Sequence, residues 1–149
     1  MAAPPSVFEM TREDALAACR ELYRQRARGD FENALALFHD DAVYLLQGSR
    51  ALLPAAGLRV GKTEIMDSCR AFDVDFEIVD IDVDDFVALP PRLCYLSWRM
   101  TLRNRGTGAQ AEIEGVDRTR WQDGKIVKLT RFLDTALLAA LAPTDEHGD

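Results

Sequence analysis

The sequence predicts a single α+β domain, with helices mostly early and a run of antiparallel strands late. Apolar residues recur at helical spacing in segments before about residue 72, the period changes to two after it, and the later apolar segments are joined by short turns. Parallel neighbours would each need a long crossover. Hairpin-length turns therefore imply antiparallel pairing, with the helices covering the sheet as a separate layer.

Thr11 is placed to cap a helix over about Arg12 to Arg28: Glu13 and Asp14 fall in its first turn, and Arg24, Arg26 and Arg28 precede the stop signal Gly29. Its apolar face holds Leu16, Cys19, Leu22 and Tyr23, which leaves the arginines largely solvated. Asp30 caps a short second helix presenting Phe31, Leu35 and Phe38. Ala42 to Gln47 reads as a strand, with His39 in a polar surface loop before it and Gly48 after it. Residues 48–60 contain Pro54 and Gly57 and no periodicity, which reads as a partly apolar loop lying as a flap. A third helix follows over about Lys62 to Phe72, with Ile65, Met66, Cys69 and Phe72 inward.

The first long strand, about Val74 to Leu89, carries Phe76 and Ile78 on one parity and Ile81 and Val83 on the other. A bulge near Val79 and Asp80 would reconcile them by bending the strand. Arg92 to Arg103 alternates cleanly, with Cys94, Leu96, Trp98, Met100 and Leu102 on one face. The turns Asn104 to Gly108 and Asp123-Gly124 lead into strands over about Ala109 to Trp121 and Lys125 to Leu133. Asp134 then caps a last helix, Thr135 to Ala142, stopped by Pro143.

A chain of 149 residues with 48% hydrophobic content fits one domain over 1–149, its core spanning about 11–142. Its 18 Lys and Arg against 25 Asp and Glu give a formal charge of -7, which opposes nucleic acid and anionic membrane surfaces as partners. Residues 1–6 lack the basic stretch and apolar core of a secretory signal, and no apolar run approaches the ~20 residues that cross a bilayer. Cys19, Cys69 and Cys94 are odd in number and widely spaced, the pattern of buried thiols, so a cytoplasmic protein is expected. His39 and His147 supply no paired metal ligands, and the acidic run from Asp73 to Asp85 lacks the glycine turn of a calcium loop. Gly61-Lys62-Thr63 is not a phosphate loop, because Ala56 stands where a glycine is needed. Neither metal nor cofactor is expected.

The informative residue is Asp117. On its strand, Ala109, Ala111, Ile113, Gly115, Thr119 and Trp121 share its parity, so Asp117 is the only charge on the inward face. A buried carboxylate must be paired, hydrogen-bonded or protonated, or must border a wet cavity. On the next strand Val127, Leu129, Arg131 and Leu133 share a parity, which makes Arg131 its expected partner. Such a pair is either a structural lock on the sheet or part of a functional site. Tyr44 offers a hydroxyl on the inward side of the first strand, and Trp98 reads as core or pocket wall.

In order and spacing, several local motifs resemble the NTF2-like superfamily, in particular its SnoaL-like polyketide cyclase and ketosteroid isomerase branch. They are Arg28-Gly29-Asp30-Phe31, Leu37 to Val43, Gly61-Lys62-Thr63-Glu64-Ile65, Trp121 to Val127 and Arg131 to Ala136. The resemblance spans about Thr11 to Leu141. It implies a cone of order α-α-β-α-β-β-β-β-α, in which a strongly bent antiparallel sheet wraps helices around a pocket for a hydrophobic small molecule, often as a homodimer through the outer sheet face. It places Leu46 where the isomerases carry their general base, and Leu22 at their oxyanion-hole tyrosine with Tyr23 one residue out of phase, so ordinary steroid isomerisation is not expected. Trp98 and Met100 stand where the epoxide hydrolases of the superfamily carry an Arg and an Asp. Asp117 aligns with the oxyanion-hole aspartate of the isomerases and looks like the acid/base aspartate of the cyclases.

These readings lead to one expected site: Asp117 and Arg131 as the reacting pair, with Tyr44, Leu46, Trp98, Trp121 and Leu22 around the ligand. In the enzyme version Asp117 exchanges a proton with an enolisable substrate while Arg131 or Tyr44 steadies the charge, without metal or cofactor. A carrier or sensor using the same pocket, or a dimerisation module without ligand, are the alternatives. A homodimer is expected because Glu112, Glu114, Arg118 and Arg120 carry both signs along one strand, so that a two-fold axis sets opposite charges together.

Overall fold

The computed structural model describes residues 11–89 and 92–142, so Pro143 and the first six residues lie outside the described part. The helices are α1 (Arg12–Arg28), α2 (Phe31–Leu35), α3 (Lys62–Asp75) and α4 (Thr135–Leu141). The strands are β1 (Phe38–Leu46), β2 (Gly57–Val60), β3 (Phe76–Leu89), β4 (Leu93–Asn104), β5 (Gln110–Gln122) and β6 (Lys125–Leu133). They form one sheet in the order β2-β1-β6-β5-β4-β3. No described helix is long and apolar enough to cross a membrane.

The helix ends follow their capping chemistry. The Thr11 side chain accepts from Asp14 N, and Gly29 closes α1 in the left-handed region at φ 77°, where a side chain would be strained. Asp30 and Asp134 cap α2 and α4 in the same way, accepting from Asn33 N and Leu137 N.

Two bulges bend β3. Ile78 pairs with Leu102 and Asp80 with Thr101, which leaves Val79 as the extra residue expected from the parity change. A second shift, between Val83 and Asp85, was not legible because Asp84 lies inside an acidic run. The inward set passes from Phe76 and Ile78 to Ile81 and Val83 and then to Phe86. The sheet is therefore concave, and α1 packs inside the curve. The clean alternation of β4 holds throughout, with Cys94, Leu96, Trp98, Met100 and Leu102 all buried.

The structure differs from the sequence reading at several points, one being that α3 runs on to Asp75, so Val74 and Asp75 end the helix and do not begin the long strand. The pair β1–β6 is parallel, because these strands are joined through the rest of the domain and not by a hairpin. β1 begins at Phe38, so His39 lies within the strand, exposed as expected. Part of the expected loop is β2, which pairs antiparallel with β1. A shift between Arg120 and Trp121 also leaves Val127 unpaired, so Ile126 and not Val127 is the buried residue at the start of β6. On the outer face, Glu112 and Glu114, read above as partners across a two-fold axis, lie 3.6 and 3.8 Å from Arg99 of their own chain.

Candidate functional site

The register places Leu46, Arg131, Asp117 and Leu96 in one row across four adjacent strands, from β1 to β4. Asp117 is fully buried, and each of its oxygens is engaged. Arg131 Nε donates to Oδ1 at 2.9 Å and Arg131 Nη2 to Oδ2 at 2.8 Å, the bidentate geometry of a strong charge-assisted pair. The Tyr23 hydroxyl donates to Oδ2 at 2.6 Å. Burial alone would lower the Arg131 pKa, but the Asp117 carboxylate reverses this and holds it above its ordinary range. The cation is further flanked by aromatic faces, with its guanidinium carbon 4.9 Å from the Trp98 ring centroid and 6.0 Å from that of Tyr44.

Tyr23 is one residue that sequence reasoning left out of the site. The family resemblance pointed to Leu22, one position earlier, yet Tyr23 is the side chain that reaches Asp117. The signal was present, since Tyr23 already lay on the apolar face of the first helix and a buried tyrosine hydroxyl needs a partner. Burial and then the neighbouring carboxylate push its pKa well above 10.0. A raised folded pKa means that this contribution to stability is intact below pH 10.0 and is lost as pH rises beyond it. Tyr23→Phe is expected to cost about 1.5–3 kcal/mol at neutral pH, the worth of a hydrogen bond to a charged group. It should also give a shallower alkaline loss of stability than the wild type. Urea unfolding at neutral and alkaline pH checks both, and an unchanged midpoint at neutral pH would contradict the bond.

Beside this row lies a cavity of about 570 Å³ between the helices and the concave sheet. Leu22, Tyr44, Leu46 and Arg131 of the expected set are in its wall, as is Tyr23. Residues Ala51 to Ala55 also border it, so the segment read as a flap does cover something. Asp117 is not in the wall and sits behind Arg131. Trp98 and Trp121 are likewise not part of it. Trp98 lies across Gly115, stacks on Arg131 and borders an open outer cleft with Asp84 and Phe132. Trp121 is four positions beyond Asp117, about 13 Å along an extended strand. There its Nε1 donates to Thr119 Oγ1 at 2.8 Å within the core.

Cys19 and Cys94 are buried, and burial raises both thiols, Cys94 to about 11. Neither is suited to nucleophilic chemistry at neutral pH. Among the described residues no group of His, Cys, Asp and Glu is placed to hold a metal ion.

A family model described as a SnoaL-like domain matches residues 19–129. No curated protein matches the chain. Among solved structures, an NTF2-like protein of unknown function from Burkholderia pseudomallei is 19% identical with a TM-score of 0.77, the match covering 91% of this chain and 100% of that one. TerC, co-crystallised with polyporic acid, is 16% identical at a TM-score of 0.74, covering 85% and 95%. A ketosteroid isomerase-like protein from Erwinia carotovora atroseptica is 15% identical at a TM-score of 0.63, covering 83% and 96%. These likenesses establish the cone fold expected from the sequence.

Proposed function

The chain belongs to the SnoaL-like family, and from that premise we propose that it binds a hydrophobic small molecule in the cavity, with an oxyanionic or carbonyl oxygen of the ligand set against Arg131. One observation carries this reading: Arg131 is a cation in the wall whose guanidinium is fixed by a bidentate pair, while the carboxylate that balances it is held behind it and away from the cavity. Asp117 thereby fixes the guanidinium plane, and Arg131 Nη1 is not committed to Asp117. The apolar wall supplies affinity and the bidentately held Arg131 supplies orientation, the usual division of labour in a small-molecule site. TerC, of the same fold, was co-crystallised with a small molecule, polyporic acid.

Calorimetric titration with dodecanoic acid and dodecanol tests the reading. The wild type should prefer the acid, and Arg131→Gln should weaken the acid by about tenfold or more while leaving the alcohol nearly unchanged. Equal binding of acid and alcohol by the wild type would sink the proposal.

A second, catalytic reading rests on the continuous hydrogen-bonded chain from Tyr23 through Asp117 to Arg131, two members of which line the cavity. Here Arg131 or Tyr44 steadies an enolate and Asp117 takes or returns the proton once a side chain in front of it rotates. In heavy water the wild type should then speed deuterium uptake by a cyclic β-diketone, and Asp117→Asn should not. No acceleration by the wild type leaves the protein a carrier or sensor.

A further inference from the structure

The cavity has a second cationic corner. Arg26, in the last turn of α1, is part of the wall, and its Nη1 donates to Asp73 Oδ1 at 2.7 Å. Its guanidinium carbon lies 5.4 Å from the Phe31 ring centroid and 5.6 Å from that of Phe72. This repeats the construction around Arg131: a carboxylate fixes the guanidinium, and two aromatic rings flank it. Like Asp117, Asp73 is not in the wall. The charged residues that do reach it are Arg26, Arg59, Arg131 and Asp75, so three cations and one carboxylate face the cavity in a chain of charge -7.

The plain alternative is that Arg26 and Asp73 only tether α1 to α3. A tether accounts for the ion pair but not for a guanidinium placed in a cavity wall otherwise built largely from groups such as Leu22, Leu46, Ile65, Ile78 and Leu138. Taking two cations partly out of water beside apolar surface is costly unless further acceptors arrive. One carboxylate oxygen of Asp73 and the sulfur of Cys69 occupy only part of the donor fork of Arg26. The two corners also share one space. Arg26, Arg131 and Cys69 are all in the wall of the one cavity.

We infer that the ligand carries two acidic or oxyanionic oxygens on an apolar body, one set against Arg131 and the other against Arg26. This rests on the Arg131 reading of the cavity and adds the class of ligand: an amphiphile with two acidic ends in place of one.

Calorimetric titration with dodecanedioic acid against dodecanoic acid, and decanedioic against decanoic acid, at neutral pH, tests it. The wild type should bind at least one diacid about tenfold more tightly than the monoacid of equal length. Arg26→Gln should abolish that preference while changing monoacid affinity by less than about threefold. Arg26→Lys keeps the charge, and so should keep part of the preference even if loss of the tether makes Arg26→Gln fold poorly. Equal wild-type affinity for mono- and diacids overturns the second pole and leaves the Arg131 reading standing. Equal weakening of both acids by Arg26→Gln reduces Arg26 to a tether. Binding of neither acid overturns the Arg131 reading itself.

Discussion

Asp117→Asn is expected to destabilise the protein by about 3–5 kcal/mol, the cost of removing one partner of a buried ion pair and leaving the other charge uncompensated. Arg131→Leu should cost a similar amount, because it strands the carboxylate instead. The reason is geometric: both Arg131 contacts and the Tyr23 contact converge on a carboxylate with no exposed surface, and an amide cannot accept from all three donors without turning a donor of its own towards one of them. Urea unfolding measures the loss. A change of about 1 kcal/mol or less, with ligand handling abolished, would instead mark Asp117 as a proton-transfer group in a wet site. The double replacement Asp117→Asn with Arg131→Leu should cost less than the sum of the two, since neither charge is then left alone.

Gly115→Ala is expected to lower stability by about 1–3 kcal/mol or more, through overpacking and not through backbone conformation. A Cβ at this position would stand 2.3 and 2.7 Å from Trp98 Cζ2 and Cη2, and 2.8 Å from the carbonyl oxygen of Phe132. The strand backbone of β6 cannot retreat easily, and the indole is held from the other side by its contact with Arg131. Displacing Trp98 should therefore also weaken ligands that depend on Arg131. Trp98→Phe removes the clashing edge, so Gly115→Ala should cost less in that background than in the wild type. Thermal unfolding of the four proteins provides the check; an indifferent Gly115→Ala variant would mean that the indole swings aside at no cost.

The core of this site was legible because strands have a strict period. Parity alone put Asp117 inward on one strand and Arg131 inward on the next, and the two are direct cross-strand partners. What escaped did so for identifiable reasons. Leu22 and Tyr23 are about 100° apart around a helix, so alignment to a family position could not settle which one faces the sheet, whereas a long phenol can reach an acceptor that a leucine cannot use. Arg26 was read as solvated from its place in a basic last turn; its burial depends on Asp73 and Phe72, far along the chain. β2 is only four residues long, and the start of β1 is polar and pairs with a strand that no turn connects to it. The bend of β3 was half legible, since the bulge at Val79 changes the parity of apolar residues whereas that at Asp84 is hidden among like charges.

The parallel pairing of Phe38–Leu46 with Lys125–Leu133 joins segments from opposite ends of the described chain. Bringing them together pays loop-closure entropy before any contact repays it, so this junction is expected to form late in folding. Arg131 belongs to the last strand, and α1, β1, α3, β3 and β6 all contribute to the cavity wall, so no early intermediate or contiguous fragment holds a complete site. A ligand consequently has nothing to grip until assembly is finished. Its binding energy should appear as slower unfolding of the completed cone and not as faster folding.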